Sequence, residues 1–301
     1  MKIWILSRKE SFSSYMNQRF KEVGNEEGIN VQIVAPEDFD IIAKRDGSES
    51  IFYHGKSIIL PECLIPRMGS GTNYFALAVI RHLENEGVFV LNSSSSIELS
   101  KDKLASLQKL VTNNLPIPKT MLAKFPLDLD LVKKEFSFPI IIKTVSGSFG
   151  KGVFLSETKN KLIDVMQLVE AAKDPKVNVI FQEFVSSSKG RDIRVIVIGG
   201  RAIGAMLRKA KRGNYKANFS AGGTVEIFKL THAIEWLAVE SSKLMGLDIS
   251  GVDLLFDKDH YVVCEVNSAP GFEGFEKATS INVPKEIFEY IKVRLGQKSK
   301  N

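Results

Sequence analysis

The sequence predicts a mixed α/β (α+β) fold, with an N-terminal unit of alternating strands and helices followed by a β-rich remainder that carries helices between its strands. Three observations predict it. Over residues 1–92, short apolar runs (KIWIL, VQIVA, CLIPR, FVL) are separated by segments with helical spacing. From residue 192 onward, two hairpin-like pairs of apolar strands occur, DIRVIVIGGRAIGAMLRK and SGVDLLFDKDHYVVCEVN. Between and after them lie the helical stretches HAIEWLAVESSKLM and PKEIFEYIKVRL.

In chain order, KIWIL forms the first strand, and SYMNQRFKEV places Met16, Phe20 and Val23 on one helical face. The SRKESFSS stretch after the first strand lacks GxGxxG, which excludes a dinucleotide-binding reading of this unit. The run Asn92-Ser93-Ser94-Ser95-Ser96 reads as a connector, with Ser100 as the cap of a helix KDKLASLQKLV. After it come IPKTMLA, a short helix, FPIIIKTV, a glycine loop, GVFLSE, the helix KLIDVMQLVEAAK and the strand NVIFQEFV. The expected domains are residues 1–92, 93–185 and 186–301, without internal repeats.

At 301 residues, 44% hydrophobic and 25% charged, the composition is that of a soluble globular protein. No apolar run approaches the ~20 residues that span a bilayer, and the N-terminus lacks the core and cleavage site of a signal peptide, so a cytoplasmic protein is expected. Cys63 and Cys264 form no disulfide framework and no zinc spacing. The net charge of +6 favours anionic partners. With no block of consecutive basic residues and no RNP-like motif, dedicated nucleic-acid binding is not expected. The absence of GxSxG and the isolation of the four histidines leave serine-hydrolase chemistry without support.

The chemistry concentrates in the second half. In YVVCEVNSAPG, Glu265 and Asn267 stand two apart on a strand and share a face. Asp253 interrupts the preceding apolar run, and an odd loop of Lys258 to His260 would set it directly opposite Glu265. Oxygen donors without His or Cys suit Mg²⁺ or Mn²⁺; the plain alternative is an edge carboxylate and a turn asparagine. In KTVSGSFGKGVFL, Lys143 ends a strand before Gly147, Gly150 and Gly152. The loop joins two strands, so it resembles a flap over phosphates rather than a Walker A loop; otherwise it is a simple hairpin turn. Asp192 and Arg194 share a face inside an apolar strand and need partners, in a hairpin that also carries Arg208. An internal Asp–Arg pair is the alternative to an anion site.

In this order, IPRMGS, SKDKLASLQ, KTVSGSFGKGV, QEFV, GRDIRVIVIGG, KANFSAGG, GVDLL and EVNSAPGFEG resemble the ATP-grasp superfamily, and within it the RimK-type α-L-glutamate ligases of the ribosomal protein modification family. The resemblance implies an ATP-grasp fold, in which a pre-ATP-grasp, Rossmann-like α/β domain precedes two lobes whose antiparallel sheets clamp ATP. It implies that Lys103 and Lys143 contact phosphates, that Gly147, Gly150 and Gly152 form the flap, and that Glu183 and Phe184 lie along adenine and ribose. Asp192 matches a nucleotide contact, and the triplet Lys216, Ala217 and Asn218 lies on the phosphate side. Arg194 and Arg208 match residues near the γ-phosphate or acyl group, with Arg67 a further substrate contact. Asp253, Glu265 and Asn267 match ligands of one or two Mg²⁺ or Mn²⁺ ions.

The implied reaction activates a carboxylate as an acyl phosphate, which the amine of L-glutamate then attacks. The implied acceptor is an acidic C-terminal tail, as on a small-subunit ribosomal protein, and the implied assembly a homo-oligomer. Related members use small-molecule carboxylates: N-acetylaspartate, pterin or deazaflavin coenzymes, or a lysine-synthesis carrier. KAN at 216–218 departs from the RSN-like triplet expected of ribosomal modifiers, and Lys lacks the bidentate fork of Arg. The alternative of a different class is a non-catalytic nucleotide- or RNA-binding protein, which would not need three metal-ligand positions.

Overall fold

The structure is a computed structural model that describes residues 1–45, 49–145, 153–171, 178–211 and 222–296. Its N-terminal unit runs through β1 (Lys2–Leu6), α1 (Tyr15–Glu26), β2 (Asn30–Val34), β3 (Phe39–Ile41), β4 (Ile51–Tyr53), β5 (Lys56–Ser57), β6 (Cys63–Pro66), α2 (Tyr74–Asn85) and β7 (Phe89–Val90). Strands β2-β1-β6-β7 form a parallel sheet, and β3-β4-β5 a small antiparallel one. Next come α3 (Ser94–Lys101), α4 (Lys103–Thr112), β8 (Thr120–Leu122), α5 (Leu129–Glu135), β9 (Ile140–Thr144), β10 (Val153–Ser156), α6 (Lys159–Ala171) and β11 (Val179–Glu183). Strands β10-β9-β11-β8 form an antiparallel sheet. The chain continues through β12 (Arg191–Ile198), β13 (Arg201–Lys209), β14 (Thr224–Phe228), α7 (His232–Leu244), β15 (Ile249–Asp257), β16 (His260–Asn267), α8 (Glu273–Thr279) and α9 (Val283–Arg294). Here β14-β13-β12-β15-β16 form a five-stranded antiparallel sheet.

The serine run is not a connector. Ser93 accepts from the Ser96 amide and caps α3, so the serines open a helix. Ser100 lies inside that helix, and α4 is capped instead by Asp102, whose carboxylate accepts from the amides of Leu104 and Ala105. Serine tolerates the first turn of a helix because its hydroxyl supplies the acceptor the open amides lack.

The parallel sheet is apolar on both faces, with Ile3 and Ile5 in one core and Trp4 and Leu6 in another, while each of the two larger antiparallel sheets packs one face on helices. In the four-stranded antiparallel sheet, Ile140, Ile142, Val179 and Phe181 pack on Val132, Phe136, Leu162 and Met166 of α5 and α6 and their flanks. In the five-stranded sheet, Ile193, Val195, Val252, Leu254, Val263 and Val266 pack on α4 and α7. The opposite face of that sheet is divided along its strands. Its far part, with Ile196, Ile198 and Met206, joins a core shared with Ile3, Ile5 and Phe20 of the N-terminal unit and Phe275, Ile287 and Phe288 of α8 and α9. Its near part is charged.

Phe20 is the pin between these layers, fully buried, with its ring edge-on to Phe272 at 5.7 Å and to Phe288 at 5.8 Å. Phe20→Ala is expected to destabilise the protein by about 3–5 kcal/mol, the usual cost of emptying a buried aromatic site. Urea unfolding measures it, and a loss below about 1 kcal/mol would show that the N-terminal unit docks by other means.

Candidate functional site

The charged face follows from strand register. Arg194 of β12 pairs across to Met206 on one side and to Asp253 on the other, Asp253 pairs with Glu265, and Asp192 pairs with Arg208. Paired residues share a face, so these side chains stand together beside Asn267. Arg194 donates to both oxygens of Asp253, at 2.7 Å each. Arg208 donates to Asp192 at 2.5 and 2.8 Å, and its Nη2 lies 2.9 Å from Asp253. The acids and arginines nominated from the sequence therefore alternate in one network, Asp192–Arg208–Asp253–Arg194.

Asp253 and Glu265 stand opposite each other, but not through an odd loop. The turn is two residues, Lys258 and Asp259, with Asp257 paired to His260 and Lys258 at φ 52°. The additional residue enters between Val263 and Glu265, where the register shifts opposite Leu254 and Asp253 and leaves Cys264 bulged. The bulge lets Val263 and Val266, three apart, both face the α4/α7 core while Glu265 and Asn267 face the other way. An unbulged strand would bury one valine and expose the other.

A cavity of about 530 Å³ lies between this face, the inner face of β9–β11 and the C-terminal ends of β1 and β6. Every described residue nominated from the sequence lines it: Arg67, Lys103, Lys143, Glu183, Phe184, Asp192, Arg194, Arg208, Asp253, Glu265 and Asn267. Gly147, Gly150, Gly152, Lys216, Ala217 and Asn218 lie outside the described residues. Lys143 donates to Gln182 Oε1 at 2.6 Å and stands 3.7 Å from Cys264 Sγ, while Gln182 donates on to Thr120 Oγ1 at 3.0 Å. Lys103, at the start of α4, is within 3.5 Å of the Val145 carbonyl. Glu183 accepts from the Lys119 amide at 3.3 Å.

Burial and charge tune these groups. Burial pushes the Asp253 carboxyl up, but Arg194 and Arg208 outweigh it and hold the carboxyl below its usual range. Asp192 goes the other way: burial raises it, and the attraction of Arg208 does not fully offset that. Burial lowers Lys103 and Lys143 repels its charge, while Glu265 acts in the opposite sense, so its ammonium is held below the ordinary lysine range. Burial without a counter-charge brings Arg67 down to about 10.

The donors suit a hard cation. Among the described residues no three His, Cys, Asp or Glu cluster, so a metal here would rest on the carboxylates of Asp253 and Glu265 and the amide oxygen of Asn267, whose Nδ2 is committed to the Gly251 carbonyl at 3.2 Å. Mg²⁺ commonly takes few protein ligands and completes its shell with water and phosphate.

Sequence reading missed Gln182 and Asn92. Gln182 is a polar residue at an alternate position of an apolar strand, a signal available in QEFV. Asn92 ends an apolar run, which is the corresponding clue. Its Nδ2 donates to the carbonyls of Ile249 and Ser268 at 2.7 and 2.8 Å, and its Oδ1 accepts from the Ile249 amide at 2.8 Å. It thereby ties the start of β15 to the residue after Asn267.

An α/β unit followed by two antiparallel sheets around a charged cavity is the architecture of the ATP-grasp ligases. The fold matches the ATP-grasp ligase PsnB complexed with its minimal precursor, with a TM-score of 0.75 at 22% identity over 97% of this chain and 98% of that one. A further structure of PsnB holds minimal precursor, Mg and ADP. D-alanine–D-alanine ligase from Bacillus anthracis, complexed with ATP, matches with a TM-score of 0.67 at 16% identity, covering 98% of each chain. At these identities the likeness is one of fold. The sequence is more specific: the RimK PreATP-grasp domain matches residues 1–97 and the RimK-like ATP-grasp domain residues 100–291. Proteins named probable alpha-L-glutamate ligase are 39% identical in Vibrio atlanticus and 38% in Coxiella burnetii, each over 292 residues, 97% of this chain and 95% of the relative. The chain belongs to the RimK-like ATP-grasp family and is a ligase; ATP is the family's nucleotide. Among the described residues no helix is long and apolar enough to cross a membrane.

The lowered Lys103 sets a pH limit. A lysine depressed below its ordinary value loses its charge earlier as pH rises. Affinity for a non-hydrolysable ATP analogue is expected to weaken on the alkaline side at a lower pH than an ordinary lysine would dictate, and Lys103→Arg, which stays charged, to remove that weakening. Identical pH profiles for the two proteins would take Lys103 out of the nucleotide contact.

Proposed function

We propose that this ligase joins L-glutamate through an α-linked amide to the acidic C-terminal tail of a protein, by way of an acyl phosphate. The observation that supports it most is the Asp192–Arg208–Asp253–Arg194 face with Glu265 and Asn267 beside it, in one cavity with Lys103 and Lys143. Such a face suits an anionic phosphoryl group bound together with a cation. Sequence similarity to proteins named probable alpha-L-glutamate ligase supports glutamate as the amine donor.

A carboxylate is a poor electrophile because its charge repels a nucleophile. In the proposed reaction an acceptor carboxylate oxygen attacks the γ-phosphorus, the bond to the β–γ bridging oxygen breaks and ADP leaves. The amine of glutamate then attacks the acyl carbon and loses a proton, and phosphate departs with the former carboxylate oxygen. Lys103 and Lys143 would orient the phosphates, and Arg194 and Arg208 would offset charge on the transferred group. Lys216 and Asn218 are proposed to add phosphate-side contacts, and the glycines at 147, 150 and 152 to cover them. Asp253, Glu265 and Asn267 would hold Mg²⁺ or Mn²⁺, which neutralises phosphate charge when bound.

Arg67, half-buried with its Nε shielded from solvent and without a carboxylate partner among the described residues, supports an acidic substrate. A small-molecule carboxylate is the second reading, favoured by KAN at 216–218. The test incubates enzyme, ATP, Mg²⁺ and labelled glutamate with a peptide ending in Glu-Glu and, separately, with small acids. Label is expected in the peptide; label entering only the small acids would remove the tail reading.

Glu265→Gln is expected to lower glutamate-dependent ADP release by about 100-fold or more with little change in unfolding midpoint. Asp253→Asn is expected to lose both activity and about 3–5 kcal/mol of stability, because the half-buried Arg194 loses its carboxylate partner and the buried Arg208 keeps only Asp192. Near-wild-type turnover of Glu265→Gln at limiting Mg²⁺ would take that residue out of the site.

A further inference from the structure

The wall of the cavity built by the N-terminal unit carries charge that the phosphate-facing network does not use. In the parallel order β2-β1-β6-β7, the chain moves from β1 to β2 on one side, and β6 lies on the other. The crevice of such a sheet opens at the carboxyl ends of the two strands where this direction reverses, here β1 and β6. Arg8 stands two residues beyond β1. Arg67 directly follows β6, and its amide donates to the Leu6 carbonyl at 2.8 Å, extending the β1–β6 pairing to the crevice. Both line the cavity.

Neither guanidinium has a carboxylate partner among the described residues. Arg67 is half-buried, gives Nη2 to the Pro270 carbonyl at 2.5 Å and to the Met16 thioether at 3.4 Å, and lies 5.5 Å over the Phe272 ring. Its Nε has no partner among the described residues. A buried donor left open is rare in folded proteins, and a thioether is a weak acceptor that a carboxylate would displace. Arg8 is exposed, and its guanidinium lies against Gly71, where an added Cβ would fall 1.3 Å from Nη2. Only glycine at 71 leaves Arg8 in that place.

We propose that Arg8 and Arg67, held at the switch point of the N-terminal sheet with Gly71 making room, form a carboxylate-binding subsite for the acidic substrate, distinct from the phosphate-facing Asp–Arg network. It rests on the ligase reading given above. A guanidinium matches a carboxylate with paired N–H donors, and two guanidiniums without counter-ions among the described residues at one crevice favour an anion that brings its own charge. The carboxylate has two possible sources, the acceptor tail and free L-glutamate, and one experiment separates them.

Full-length protein with Mg²⁺ and a non-hydrolysable ATP analogue is titrated calorimetrically with a peptide ending in Glu-Glu, with its Gln-Gln-amide counterpart, and with L-glutamate. Arg8→Gln, Arg67→Lys and Gly71→Ala are titrated alongside, with circular dichroism to confirm folding; exposed Arg8 keeps the test open if Arg67→Lys unfolds. Loss of charge-assisted hydrogen bonds is expected to weaken the carboxylate ligand about tenfold or more in Arg8→Gln and Arg67→Lys, and less in Gly71→Ala, with affinity for the ATP analogue unchanged within about twofold. Loss confined to the peptide assigns the subsite to the acceptor, and loss confined to glutamate assigns it to the donor; both support the subsite. Equal binding of acid and amide peptides together with unchanged glutamate binding, no binding of either acid by the wild type, or unchanged affinities in Arg8→Gln overturns it. Turnover of labelled glutamate is scored separately: absent turnover with these affinities intact removes the ligase reading and leaves the subsite.

Discussion

Asp253 is the constraint on which the site depends. Its two oxygens take three guanidinium contacts, two from Arg194 and one from Arg208, and Arg208 is in turn held by Asp192. Burying four charges carries a desolvation penalty that is offset only when every partner is in place. That arrangement exists because β12, β13 and β15 are in one register; a slip of one residue in any of them would turn a charge into the α4/α7 core. Within the network the charges cancel. Outside it, Arg8, Arg67, Lys101, Lys103, Lys143 and Arg191 outnumber Glu183, Glu265 and Glu273 and leave this lining biased toward anions.

Apolar packing fixes that register from behind. Val263 and Val266 reach the same core only because Cys264 is bulged, and the bulge brings Glu265 opposite Asp253. Asn92 holds the strand ends in place by acting as a pairing partner for Ile249 and Ser268. The N-terminal unit is attached at the same corner, through Phe20 against Phe272 and through Tyr15 and Arg19, which both reach Glu276 of α8. The segment from Asn267 to α8 thus touches the charged face, Asn92 and the N-terminal unit together.

Much of this was legible from residue pattern. Alternation in DIRVIVI places Asp192 and Arg194 on one face, and i, i+2 spacing does the same for Glu265 and Asn267. Which partners those charges take was not legible, because it depends on pairing between strands up to 59 residues apart, as for Arg194 and Asp253. The odd loop proposed for the last hairpin had the right parity at the wrong place. Turn residues 257–260 admit either length, and two valines three apart were the overlooked sign of a bulge. The serine run was misread because composition marks loops and helix starts alike; only the capping bonds of Ser93 and Asp102 separate them. Arg8 carries no sequence signal of its own, since the room for its guanidinium comes from Gly71, far along the chain.

The central claim is that this charged cavity activates a carboxylate by phosphorylation before amide formation. Following ¹⁸O from a carboxylate-labelled acceptor during ATP-dependent ligation of glutamate tests it most directly. An acyl phosphate transfers one labelled oxygen into inorganic phosphate for every amide formed. Amide formation that releases unlabelled phosphate, or that releases AMP and pyrophosphate, would contradict the account.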